Sequence, residues 1–278
     1  MPAALVFCSV VANENYAYVI GGSVDDGAVN TMYRLSLETG EWITMTPMNT
    51  ARASCAATLK DNYIYVFGGE SESDDEWLSS TERYFIDDNT WEDLPDMSKP
   101  RDGHCAVNAA GSEIYIVGGY ATHSMDVFDT GPSLTWKAET YLCHMPVTSY
   151  CAAAVLLKKK YLVVIGGYDT YGASKASCLI YDIWSNGWSS TPRSIDMIDA
   201  RCCHSAAVLD GKIVVAGGCV RGGNVLSSME CIDAEALLDY APLHYPLPTL
   251  ILDRVLEIGK FERDCIHCTL FDEPKAKN

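Results

Sequence analysis

The sequence predicts an all-β chain folded as a β-propeller, a ring of four-stranded sheets, and three observations predict it. Five apolar runs each end in a glycine pair, and the first glycines, Gly21, Gly68, Gly118, Gly166 and Gly217, are spaced by 47, 50, 48 and 51 residues. Tryptophans and partnering aromatics recur in phase with them, as Trp42, Trp91, Trp136 and Trp188. Turn residues break each unit into strand-length pieces, as hairpins require. Self-similarity at this period signals a repeat architecture in which each unit buries its faces against its neighbours.

Taken in order, unit one (residues 3–46) has strand a at Cys8, strand b at Tyr16–Gly22, strand c with Leu35, the turn Glu38-Thr39-Gly40 and strand d with Trp42. Unit two (47–95) repeats this as Cys55-Ala56-Ala57, Ile64–Gly69, Tyr84, the turn Asp87-Asp88-Asn89 and Trp91. In unit three (96–144) the series is Cys105, Ile114–Gly119, Phe128 one residue off the aromatic slot, and Trp136. Unit four (145–194) supplies Cys151-Ala152-Ala153, Leu162–Gly167, Tyr181, Ser185-Asn186-Gly187 and Trp188. Unit five (195–241) has Ser205-Ala206-Ala207 and Ile213–Gly218, but Asp239 and Tyr240 where tryptophan is due. Cys8, Cys55, Cys105, Cys151 and Ser205 are read as one equivalent slot on the innermost strand.

A sixth unit begins over 242–271. Leu247-Pro248-Thr249-Leu250 with Arg254 echoes Leu94-Pro95-Asp96-Met97 with Arg101. Val255–Phe261 would be its strand a and Cys265–Phe271 a stand-in for strand b, before the polar tail 272–278. The expectation is one domain over 1–278, with five full four-stranded blades and a partial, degenerate sixth. A five-bladed ring with a C-terminal appendage fits the same residues.

The residue types suit the geometry. Glycine pairs at a strand end allow positive φ and close backbone approach. Tyr and Trp fill the space between blades while keeping a polar atom for a hydrogen bond. Cysteine, serine and alanine suit an innermost strand where blades converge. With Met48 and Arg52, Met97 and Arg101, and Met197 and Arg201 between units, these features resemble the kelch repeat over about Ala3 to Tyr240. The resemblance implies a kelch-type propeller, commonly six-bladed, that holds a peptide or protein on one face.

Composition narrows the partners. The formal charge of −17 repels phosphate backbones and anionic lipid, so neither nucleic acid nor a membrane surface is expected. No stretch is long and apolar enough to span a bilayer, and Met1–Val11 reads as a first strand rather than a leader. The twelve cysteines are therefore expected as thiols in a reducing compartment, cytoplasmic or nuclear.

In an up-and-down blade the b–c and d–a connections share one face. The b–c loops, Ser23–Asn30, Glu70–Ser80, Tyr120–Ser124, Tyr168–Ala176 and Cys219–Val225, are long and varied, as binding loops on a rigid scaffold are. The partner-binding candidates on this face are Arg52, Arg101, His104, Tyr120, His123, Tyr150, Tyr168, Arg201, His204 and Arg221. Asp102 and Tyr171 lie there as well. The arginines recur with the repeat, so a structural role, capping blade edges or pairing with acids, is the stronger reading for them. Acidic loops at Asp25, Asp26, Glu70, Glu72, Asp74, Asp75 and Glu76 leave the sign of the ligand open.

No catalytic residue, cofactor or metal is expected. Cys265-Ile266-His267-Cys268 has zinc-ligand spacing without a second pair. Cys202-Cys203-His204 and Cys143-His144 are only sequence neighbours, whereas catalysis needs a nucleophile and a base facing each other. Cys219, beside a glycine pair and near Arg221, has the surroundings for a more reactive thiol. The leading expectation is a non-catalytic protein-binding module, a scaffold or substrate-recognition adaptor, with a ubiquitin-ligase or cytoskeletal component as partner. The alternative is a kelch-like enzyme acting on a sugar or other small molecule. A self-associating role through the incomplete sixth blade is the third reading.

Overall fold

The computed structural model describes residues 1–25, 27–71, 77–138, 142–220, 222 and 224–242. The sixth repeat, the tail, Arg221 and the cysteines of the Cys265–Cys268 motif lie outside these described residues.

Five antiparallel blade sheets follow one another along the chain, and a two-stranded ribbon, Ser23–Val24 with Gly27–Ala28, lies in the first b–c loop. In the first, strands a to d are Ser9–Ala12, Tyr16–Ile20, Met32–Ser36 and Trp42–Thr44. The second has Ala56–Lys60, Tyr63–Phe67, Thr81–Phe85 and Thr90–Leu94. The third has Cys105–Asn108, Glu113–Val117, Met125–Asp129 and Thr135–Trp136, and the fourth Ala153–Leu157, Tyr161–Ile165, Cys178–Asp182 and Gly187–Ser190. The fifth has Ser205–Leu209, Lys212–Ala216 and Met229–Asp233. Strands a of successive blades pack on one another, which makes them the inner wall.

Blade five differs from the expected four strands. Where strand d runs elsewhere, Ala234–Leu238 forms a short helix capped by Asp233, whose carboxylate accepts from the Ala236 N–H at 2.9 Å. Ala-Glu-Ala-Leu-Leu is strong helix-forming sequence, and Leu237, fully buried, takes over core filling from the missing tryptophan.

The core lies between blades. Four buried clusters join blade one to two, two to three, three to four and four to five. Tyr84 packs on Trp91 and Tyr181 on Trp188, with ring centroids 5.1 and 5.0 Å apart. Trp91, Trp136 and Trp188 each donate an indole N–H, at 2.8 Å, to a carbonyl of the preceding blade: Thr46, Pro95 and Cys143. Phe128 pairs directly across from Trp136. Its apparent displacement by one residue is absorbed by a longer c–d turn.

The registers correct one alignment. Cys105 pairs like Ser9, Ala56, Ala153 and Ser205, because each faces the last residue of strand b. Cys8 and Cys55 stand one place earlier, beside the second glycine of their blades, where blades three and five have His104 and His204. Cys151 stands one place earlier still. Cysteine is interchangeable with other small residues along the inner wall, so its recurrence had suggested a register the backbone does not keep.

The first glycine of each pair is where the next blade seats. A Cβ on Gly68 (φ +53°) would lie 2.6 Å from the Arg101 carbonyl and 2.8 Å from the Met97 methyl. Met145 fills the same role at Gly118, so the methionine signal recurs at a fourth joint. Gly217 keeps the left-handed φ of +67° but has only the Leu226 carbonyl nearby, at 3.8 Å. Among the described residues, no methionine seats on the far side of blade five.

Candidate functional site

The b–c and d–a connections do converge on one face. Short antiparallel bridges join the d–a crossing to the residue after the glycine pair: Val6 to Ser23, Ala53 to Glu70, Tyr150 to Tyr168 and Cys202 to Cys219. One place further on, Phe7, Ser54, Gly103, Cys151 and Cys203 all have φ near +50 to +60°. The last four each donate the N–H to the carbonyl of the counterpart in the blade before, at 2.8, 3.1, 2.7 and 2.7 Å from Ser54 to Cys203. This hydrogen-bonded rim defines the mouth of the ring on the loop-lined face.

The recurring arginines do not reach that face. Arg52, Arg101 and Arg201 are almost wholly buried, each turned back into its own blade. Arg52 pairs with Glu82 at 2.6 Å and donates to the carbonyls of Gly68 and Ser80. Arg101 pairs with Asp126 at 2.7 Å and bonds the carbonyls of Gly118 and Ser124. Arg201 pairs with Glu230 and bonds Gly217 and Ser228. Each guanidinium therefore ties the start of the b–c loop to strand c, with its charge neutralised. As partner-binding residues these three are corrected to structural clamps.

His104 and His204 are also corrected. Both rings are buried, their nitrogens lack a well-formed hydrogen bond, and their Cε1 atoms lie against the positions of Gly68 and Gly166. Burial first, and then the neighbouring arginines, hold His104 down at about 3 and His204 at about 4. They are neutral wedges between blades.

What remains on the surface is aromatic. Trp77 meets Tyr120 at 5.1 Å, Tyr120 meets Tyr150 at 5.1 Å, and Tyr150 meets Tyr168 at 5.3 Å between ring centroids. This arc crosses blades two, three and four along the rim, with Trp77 and Tyr120 exposed. Tyr120, Tyr150 and Tyr168 were legible as non-repeating loop residues; Trp77, in the loop after Glu70, was missed. His123 is exposed but stands apart from the arc, edge-on to His144 at 5.8 Å. Tyr171 is 88% exposed.

The charge beside the arc is negative. Asp102, at the crossing into blade three, is pushed up to about 6 by burial and then by the nearby Glu70 carboxylate. A partly desolvated carboxyl in the field of a second carboxylate is eased by a nearby cation. At the far end of the arc, the Tyr168 hydroxyl lies 3.7 Å from the Cys219 sulfur. Hydrogen bonding to Cys202 and Cys219 drives the Tyr168 hydroxyl upward, and burial pushes the Cys202 thiol up to about 12.

Comparison with known proteins agrees with the propeller fold. The KLHDC2/KLHL20/DRC7 kelch-repeats domain matches residues 1–119 and 103–238. The chain is 30% identical to kelch-like protein 38 of Rattus norvegicus over 227 residues, 78% of this chain and 36% of that protein. It is 30% identical to kelch-like protein 38 of Homo sapiens over the same shares, and 26% identical to kelch-like protein 15 of Danio rerio over 82% of this chain and 41% of that protein. The chain thus spans little more than a third of the length of the curated relatives it matches. Among solved structures, that of YjhT superposes with a TM-score of 0.69 over 81% of this chain and 80% of that one, at 13% identity, a likeness of fold alone.

Proposed function

The chain belongs to the kelch-repeat family, and from that premise we propose that it is a protein-binding propeller that takes a cationic, partly apolar peptide across the aromatic arc. The observation that carries this reading is the continuous contact of Trp77, Tyr120, Tyr150 and Tyr168 on the loop-lined face, flanked by Glu70 and Asp102. Aromatic rings give large, rigid contact area at low entropic cost and attract cations to their faces. Burial of the three clamp arginines removes the groups that would have gripped an acidic ligand, and the net charge of −17 steers a basic one inward. The role is that of a recognition module within a scaffold or substrate adaptor, with a ubiquitin-ligase or cytoskeletal component as the wider partner. A reducing compartment, cytoplasm or nucleus, suits ten unbridged cysteines among the described residues.

Selection of a random peptide library on the reduced full chain tests this. Enriched peptides are expected to pair Lys or Arg with aromatic or proline residues and to bind more weakly as salt rises. Tyr120→Ala should weaken them at least tenfold, about 1.4 kcal/mol, the size of a modest interface anchor. Enrichment of acidic peptides, or binding indifferent to both Tyr120→Ala and Tyr168→Ala, would overturn the proposal.

A further inference from the structure

The repeat supplies its own control for deciding which residues serve the fold. Residues that hold a blade recur at the same place in the others; residues that do not recur need another reason. At the bridge between the d–a crossing and the end of the glycine pair, the blades present Val6 with Ser23, Ala53 with Glu70, Tyr150 with Tyr168, and Cys202 with Cys219. Only blade five has a thiol on both sides. At the adjoining left-handed rim position the series is Phe7, Ser54, Gly103, Cys151 and Cys203, so two more thiols stand side by side at the joint of blades four and five.

These sulfurs converge. The Sγ atoms of Cys202, Cys203 and Cys219 all lie within 4.8 Å of one another, and Cys202 to Cys219 is 3.2 Å. The Cys151 thiol is a neighbour of that of Cys203 across the joint of the two blades. The backbone under them is fixed: Cys202 and Cys219 exchange N–H···O bonds of 3.0 and 2.9 Å, and Cys203 is anchored to the Cys151 carbonyl at 2.7 Å. Cys202 is buried, Cys219 half-buried and Cys203 exposed, so the cluster has a floor and an entrance.

We propose that Cys202, Cys203 and Cys219, with Cys151 as the fourth donor in reach, form a binding site for a thiophilic d10 cation, Cu+ or Zn2+. Thiolates bound to such an ion at about 2.3 Å are spaced by roughly 3.7–4 Å. The Cys202–Cys219 spacing of 3.2 Å falls short of that value and the other spacings stay within 4.8 Å, so side-chain rotation rather than backbone movement is what binding would ask of the cluster. Soft sulfur donors select these ions over Mg2+ or Ca2+. Three thiolates suit Cu+, and addition of Cys151 completes a four-sulfur set for Zn2+. The Tyr168 hydroxyl, 3.7 Å from the Cys219 sulfur, is placed to donate a hydrogen bond to a bound thiolate, as outer partners of metal sites do. A strongly acidic chain also favours a cation at its rim.

The test uses the full chain, reduced and anaerobic, with Cys265→Ser and Cys268→Ser introduced to silence the Cys-x-x-Cys pair of the sequence. The protein is equilibrated with Zn2+ in one arm and with Cu+ in the other, and bound metal is counted after dialysis. One ion per chain is expected in at least one arm, and the arms identify which ion the site prefers. Co2+ in place of Zn2+ should give sulfur-to-cobalt charge-transfer absorption. Cys219→Ser should weaken binding at least a hundredfold, and Cys231→Ser, at an exposed thiol outside the cluster, should leave it unchanged. Circular dichroism of Cys219→Ser establishes that the ring still folds. Substoichiometric metal in both arms, or equal binding by the folded Cys219→Ser variant, would overturn the proposal. A Cys202–Cys219 disulfide that persists under these reducing conditions would do so as well.

Discussion

Blades three and four share one frame and differ most where the chain crosses from strand d into strand a. Blade three carries Arg101-Asp102-Gly103-His104 there; blade four carries Ser149-Tyr150-Cys151-Ala152. The difference extends to strand c, where Asp126 of blade three is matched by Leu179 of blade four, one place after Met125 and Cys178. The guanidinium and its carboxylate are absent together. Ser149 keeps one of the arginine's bonds, from its hydroxyl to the Gly166 carbonyl at 2.8 Å, and Leu179 packs in the apolar cluster between blades three and four. Blade one makes the same exchange, with Leu5 and Tyr33. The pair is thus a device that can be replaced whole, as expected when the desolvation of two buried charges offsets most of their attraction.

Breaking the pair from one side should have the largest effect. Arg101→Ser strands Asp126, which is 3% exposed, and should cost about 3–5 kcal/mol in chemical denaturation, the usual penalty for a buried charge without its partner. A loss below about 1 kcal/mol would mean that water already reaches the site. Converting blade three to the pattern of blade four, with Arg101→Ser and Asp126→Leu together, should restore most of the stability. The residual cost should be about 1–2 kcal/mol, for lost carbonyl bonds and imperfect packing. If the double variant is no better than Arg101→Ser, the comparison between blades fails.

The histidine of the same segment sharpens it by pH. His104 is held at about 3, below its ordinary 6.5, so its neutral ring supports stability that is present above pH 6.5 and lost as pH falls towards 3. Blade four, with Ala152, has no such dependence. His104→Ala should therefore lose some stability at neutral pH, from the cavity it leaves. It should also flatten the fall in stability between pH 6 and pH 4 by up to about 1.4 kcal/mol per pH unit, the slope of one proton. Unfolding curves across that range measure it directly.

These differences also explain what could be read from the chain. The glycine pairs and the Tyr84/Trp91 and Tyr181/Trp188 spacings are local, so five blades were legible. Aromatic fillers and turn residues act within one hairpin. A structural role for the arginines was legible from their recurrence, but which way they point was not, because a residue at a loop mouth can point outward or back under its sheet. The signal that distinguishes these was present as an acid 25 to 30 residues on: Glu82, Asp126 and Glu230. The helix of blade five was hidden because the repeat led to the expectation of a strand. The thiol cluster was hidden because Cys202 and Cys219 meet only through a bridge whose register the sequence does not print. Trp77 was missed for the same reason, since its contact with Tyr120 lies across two blades.

The smallest expected effect concerns the residue that separates folding from binding. Asp102 stands at about 6, above its ordinary 3.8, so the stability linked to its protonation is fully present below pH 3.8 and lost as pH rises through 6. At neutral pH the ionised, partly buried carboxyl opposes folding. Asp102→Asn should raise stability near pH 7 by no more than about 1 kcal/mol, since a carboxyl that water still reaches is partly screened, and should remove the dependence between pH 4 and 6. Blade four, with Tyr150 in the same place, shows that the fold does not need an acid there. If the carboxylate is kept for a cationic ligand, the same substitution should weaken a Lys- or Arg-containing peptide severalfold while the ring becomes more stable. Such opposed movement marks a binding residue rather than a structural one. Parallel loss of stability and binding would return Asp102 to the frame, and the cationic preference would then have to rest on Glu70 and the aromatic arc alone.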